Sequence, residues 1–167
     1  MADYVASMRG AALGARLRRL SAMIDGDAAR AYAANGILFE QRWFGVINQL
    51  ALNGPMNVSR LAEALGISHP SVSEARQSLE KAGLVQSAPD PADSRRRLLT
   101  LSPAGTAFVA RLRPMWEVFD RAARQLDAEA GEVTQALERL EQALQRKSLY
   151  ARIMDGIDRP DGGAREG

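Results

Sequence analysis

A chain of 167 residues with 46% apolar and 25% charged side chains is long enough to bury a core without disulfides or a structural metal. The absence of cysteine and the single histidine exclude thiol redox chemistry, disulfide bridges and thiolate metal centres, and no cofactor is expected. Net charge is only +2, yet its distribution is uneven: Arg95, Arg96 and Arg97 form one basic run, whereas Asp127 to Glu141 is acid-rich.

No segment approaches the ~20 apolar residues of a bilayer span, and the opening MADYVASMRG lacks the layout of a secretion signal, so a cytoplasmic protein without a membrane partner is expected. Leu13, Leu17, Leu20 and Ile24 recur at spacings of four, three and four, which predicts an amphipathic first helix. A second helix is read from about Phe39 to Leu52, with Trp43, Ile47 and Leu50 on one face, and Asn53-Gly54-Pro55 stops it. Asn57 caps a short helix from Val58 to Leu65, which Gly66 ends. Ser68 caps the next helix, with Pro70 in its first turn, Val72, Ala75 and Leu79 on its buried face, and Gly83 at its end.

Two β-prone runs, Leu84 to Ser87 and Arg97 to Leu101, flank the turn-rich PDPADSRR and predict a hairpin. Ser102 and Pro103 open a long helix through Phe108, Leu112, Met115 and Phe119 towards Leu126. Val133, Leu137, Leu140 and Leu144 make a short coiled-coil-like stripe that Leu149, Ile153 and Ile157 extend, and DRPDGGAREG reads as a disordered tail.

Two short helices joined by a tight turn and followed by an arginine-bearing hairpin match a helix-turn-helix with a wing. In that arrangement the second helix enters the major groove of duplex DNA and the hairpin reaches the adjacent minor groove or its phosphates. The candidate DNA contacts are Asn57 and Ser59 on the first helix, Ser68, His69, Pro70, Ser71, Ser73 and Gln77 on the second, and Arg95, Arg96 and Arg97 on the wing. Glu74 fits less simply: it either accepts from a cytosine amino group or opposes nearby phosphates. Taken singly, the same residues also suit a plain trihelical core and a solvated turn; their succession is what favours recognition.

The succession Leu79-Glu80-Lys81-Ala82-Gly83-Leu84-Val85, Asp90-Pro91-Ala92-Asp93-Ser94-Arg95 and Leu101-Ser102-Pro103-Ala104-Gly105 resembles the winged domain of the MarR family over roughly Asn57 to Gly105. The resemblance implies a mainly α protein with a small β-hairpin wing (α+β). Its winged helix-turn-helix DNA-binding domain at 37–105 would sit between helical dimerisation regions at 1–36 and 106–157, before the tail at 158–167. It further implies a homodimer that binds a palindromic double-stranded operator, commonly as a repressor, and releases it on binding a small molecule, with Arg95 as the wing-tip arginine.

An apolar or aromatic effector would be lined by Phe39, Trp43, Phe44, Met115, Trp116 and Phe119, residues that serve equally well as core. The chain departs from the family pattern at Glu74 and Ser78, where basic residues are frequent, at Arg76, where an apolar residue is usual, and at Ser102 for threonine. The competing reading is a helical dimeric protein-interaction module without specific DNA binding. An enzyme is disfavoured, because no nucleophile–base pairing, phosphate-binding glycine loop or metal cluster is found.

Overall fold

A computed structural model of the chain describes residues 8–90 and 93–158. Two compact units divide in sequence between Leu112 and Arg113. The first contains a short 3-10 turn (Arg9–Ala12), α1 (Leu13–Ala34), α2 (Trp43–Asn53), β1 (Met56–Asn57), α3 (Val58–Leu65), α4 (His69–Lys81), β2 (Val85–Asp90), β3 (Asp93–Leu101) and the opening of α5 (Pro103–Glu129). The second contains the remainder of α5, then α6 (Val133–Arg146) and α7 (Leu149–Asp158).

Local chemistry sets the bounds of the short helices. The Asn57 carboxamide oxygen accepts the Arg60 N–H at 2.9 Å at the start of α3, and Gly66 closes that helix at φ 62°, a left-handed conformation that strains any side chain. Ser68 Oγ accepts the Ser71 N–H at 3.3 Å at the start of α4. That helix closes with paired bonds from Gly83 N–H to the Glu80 carbonyl and from Leu84 N–H to the Leu79 carbonyl, each 3.0 Å, so its last carbonyls are satisfied as the chain turns into the hairpin.

A three-stranded antiparallel sheet in the order β1-β3-β2 backs these helices, with Met56 opposite Leu99 and Val85 opposite Leu101. Ile47, Leu61, Val72, Leu79, Leu99 and Leu112 are fully buried and form the core of the unit. Ser102 locks the hairpin to α5: its N–H bonds to the Leu84 carbonyl, its Oγ donates to the Gly83 carbonyl at 2.6 Å, and the same oxygen accepts the Gly105 N–H at 3.0 Å as the helix cap. At Gly105 the backbone approach is so close that a Cβ would stand 1.9 Å from the Leu84 carbonyl oxygen.

Three expectations shift. The second helix begins at Trp43 and not at Phe39, because Glu40 and Gln41 carbonyls take the Trp43 and Phe44 N–H groups in an entering turn. Phe39 still reaches the core, from a loop, by stacking on Tyr32 with ring centres 4.4 Å apart. The hairpin is longer than Leu84 to Ser87 and Arg97 to Leu101, its strands running to Asp90 and from Asp93, and it gains β1, which is too short to leave an alternating pattern. Leu149 to Ile157 form a separate helix, since Lys147 turns extended and Ser148 Oγ accepts the Ala151 N–H at 3.1 Å to begin again.

In the second unit Asp127 receives both the N–H and the hydroxyl of Thr134, at 2.8 and 2.6 Å. These bonds hold its carboxyl below the ordinary carboxylate range and tie α5 to the start of α6. The helical apolar stripes outside the core are left uncovered in the single chain: Leu13, Leu17, Leu20, Met23 and Ile24 on α1, and Val133, Leu137, Leu144, Leu149, Ile153 and Ile157 on α6 and α7, are all exposed.

Candidate nucleic-acid interface

Helix α4 has two faces set by its period. Val72, Ala75 and Leu79 point into the core, and Pro70, Glu74, Gln77 and Lys81, spaced four, three and four apart, form an exposed stripe on the other side. His69 and Ser71 are exposed at the helix start, where Ser68 Oγ takes the Ser71 N–H and Pro70 has none. Ser73 is half-buried beside the stripe. On α3, Ser59 and Arg60 are exposed, whereas Asn57 and Ser68 have an oxygen committed to capping.

One flank of α4 is joined to the segment before α2. Ser78 Oγ accepts from the Trp43 indole N–H at 3.1 Å and donates to the Glu40 carboxylate at 2.8 Å. The same carboxylate pairs with the Arg42 guanidinium, whose Nε lies 2.6 Å away. The hydrogen bond from Ser78 is the main cause holding the Glu40 carboxyl below its ordinary value; partial burial opposes it and Arg42 assists. These residues, with Leu38, Glu74, Gln77 and Lys81, border an open groove of about 530 Å³ along the outer side of the helix.

The opposite flank of α4 is tied to the wing. Arg76 is half-buried and lies 3.7 Å from the Glu80 carboxylate, which also takes the Ser87 hydroxyl of β2. At this position, where the resemblance expects an apolar residue, the half-buried arginine turns Nη1 to a carboxylate while its Nε is buried without a hydrogen-bond partner. On the wing, Arg97 is exposed and donates to the Ser87 carbonyl at 3.0 Å, bracing the hairpin across its strands. The strand register jumps between the pairs Pro89–Arg97 and Asp90–Asp93, which leaves residues 94–96 as a bulge near the tip. The side chains of Arg95 and Arg96 lie outside the described residues.

Of the aromatic candidates, Phe39 and Trp43 are buried in the first unit, where Phe39 meets Trp43 edge-on at 5.8 Å and stacks on Phe108 at 6.3 Å. Phe44 is exposed in the same unit, and Met115, Trp116 and Phe119 are half-buried in the second. Sequence reasoning missed Lys81 and the Glu40–Ser78–Trp43 connection. The spacing of Lys81 from Pro70, Glu74 and Gln77 was sufficient to find it; no local pattern links Glu40 to Ser78.

A capped helix, a glycine turn, a second capped helix with a polar outer face and an antiparallel wing pinned to it define a winged helix-turn-helix domain. The sequence model of the MarR family matches residues 37–96. A putative transcriptional regulatory protein for the hcr operon of Thauera aromatica is 32% identical over 99 residues, which cover 58% of this chain and 60% of that protein. BpsR of Bordetella bronchiseptica, whose DNA binding is regulated by 6-hydroxynicotinic acid, superposes with a TM-score of 0.65 at 23% identity, over 77% of this chain and 92% of its own. The transcriptional repressor CouR, solved on a 23-mer DNA duplex, superposes with a TM-score of 0.59 at 25% identity, over 81% of this chain and 92% of its own. Over residues 37–96 the chain is similar to the MarR family, and its fold is that of a winged helix-turn-helix regulator.

Proposed function

We propose that the protein binds a palindromic operator in double-stranded DNA as a homodimer and acts there as a repressor that a small apolar or aromatic molecule releases. The observation that carries this reading is the exposed stripe Pro70, Glu74, Gln77 and Lys81, presented by a helix whose other side is anchored in the core and whose end is tied to an arginine-bearing wing. Polar side chains on such a helix suit base edges, and the wing arginines suit phosphates.

A second copy of the chain is the partner that the uncovered stripes of α1, α6 and α7 support, since each carries apolar side chains that a soluble monomer would leave in water. Two-fold symmetry then repeats the recognition helix, and the half-sites fall ~34–36 Å apart. Release by a ligand requires that it prefer the released state by about 5 kcal/mol, which needs an enclosed contact with aromatic residues of the type of Trp116 and Phe119. The regulation of BpsR by an aromatic acid and the duplex complex of CouR support both halves of the proposal.

Sedimentation of the pure protein, combined with duplex binding measured over a range of salt, tests it. A dimer whose affinity falls steeply and linearly on logarithmic axes as salt rises is expected. A monomer, or binding indifferent to salt, contradicts the proposal and favours a protein-interaction module.

A further inference from the structure

The carboxylates that lie along α4 are not equivalent. Glu80 is engaged by Arg76 and Ser87, and Glu40, beside the helix, is engaged by Arg42 and Ser78. Glu74 lies between them on the exposed stripe and, among the described residues, has neither a hydrogen-bond nor an ion-pair partner. It stands about one turn beyond Pro70, in the half of the helix that meets base edges in this class of domain, whereas Lys81 closes the stripe at the end nearer the backbone.

We infer that Glu74 is a specificity-determining residue that accepts a hydrogen bond from the exocyclic amino group of a cytosine in each half-site. This rests on the DNA-binding reading proposed above. An ionised carboxylate offers only acceptors. Facing the major groove, it is repelled by phosphates and by the acceptor-rich edge of guanine, and the donor that best relieves it is the cytosine amino group. The same charge penalises every register in which no such donor is opposite, so Glu74 discriminates by repulsion as well as by attraction. Gln77, one turn further, carries both a donor and an acceptor and so suits adenine, which gives the stripe two distinct base preferences along its length.

Selection from a pool of randomised duplexes with the full-length protein, its Glu74→Gln variant and its Glu74→Ala variant tests the inference. Wild type is expected to select a cytosine at one position of each half-site. Glu74→Ala is expected to lose that preference by about ten-fold or more while keeping the others, and to bind unselected DNA more tightly. Glu74→Gln is expected to move the same position towards adenine. A Glu74→Ala variant that tightens on all duplexes alike, with the selected sequence unchanged, overturns the inference and leaves the DNA-binding reading intact. A wild-type protein that selects no sequence at all overturns both.

Discussion

Ser78 Oγ stands 2.8 Å from the Glu40 carboxylate and 3.1 Å from the Trp43 indole nitrogen, so one hydroxyl fastens the outer helix of the domain to the entrance of α2. Trp43 is 3% exposed, and Ser78 Oγ is the acceptor that its indole N–H meets. Ser78→Ala strands a buried donor, and a loss of about 1–3 kcal/mol in unfolding free energy is expected. Urea denaturation followed by tryptophan emission measures it; an unchanged midpoint would show that the indole finds another acceptor.

The low-lying Glu40 carboxyl makes stability depend on pH in a definite sense. Above its ordinary value of 4.5 the group is ionised in folded and unfolded chains alike, and its contribution is fully present. As pH falls the unfolded chain takes up the proton first, and the contribution is gone once pH passes below the depressed value of the folded chain. Asp127, lowered by Thr134, acts in the same direction. Glu40→Gln is therefore expected to flatten the acid limb of the stability profile, which thermal melts between neutral pH and pH 3 would reveal as a smaller loss than in wild type.

Two glycine substitutions of opposite sign check the packing. At Gly105 an added methyl meets the Leu84 carbonyl oxygen, so Gly105→Ala must separate α5 from the hairpin, at a cost of about 3 kcal/mol or more. At Gly26, inside α1, a Cβ meets nothing within 4 Å, and Gly26→Ala is expected to stabilise the helix by about 0.5–1 kcal/mol. A Gly105→Ala variant that melts no lower than wild type would contradict the close approach of α5 to Leu84.

The wing arginines should separate in function. Arg97 is engaged with the Ser87 carbonyl and braces the hairpin, whereas the bulge at residues 94–96 places Arg95 nearer the tip. Arg95→Ala is expected to lower the salt slope of duplex binding by about one unit, with little effect on sequence preference. Arg97→Ala is expected to cost hairpin stability and alter the slope less. Slopes from fluorescence anisotropy at several salt concentrations decide between them, and an unaltered slope for Arg95→Ala refutes the wing assignment.

What the sequence made legible follows from which interactions are local. Asn57, Ser68, Gly66 and Gly83 act on neighbours within a few residues, so the bounds of α3 and α4 could be read directly. Ser102 and Gly105 were legible as a motif, yet their reason, the approach to Gly83 and Leu84, is tertiary. The start of α2 was misplaced because Phe39 continues the helical spacing of apolar residues while reaching the core from a loop. Glu40 and Ser78, 38 positions apart, meet only once α2 and α4 have packed, and no periodicity announces such a pair.

The most direct test takes the duplex that wild type selects and inserts five base pairs between its half-sites. Half a helical turn moves the second half-site to the far side of the DNA, where a rigid dimer cannot reach it. Affinity is predicted to fall to the level of unselected DNA, and equal affinity for the original and the lengthened duplex would contradict recognition by paired helices.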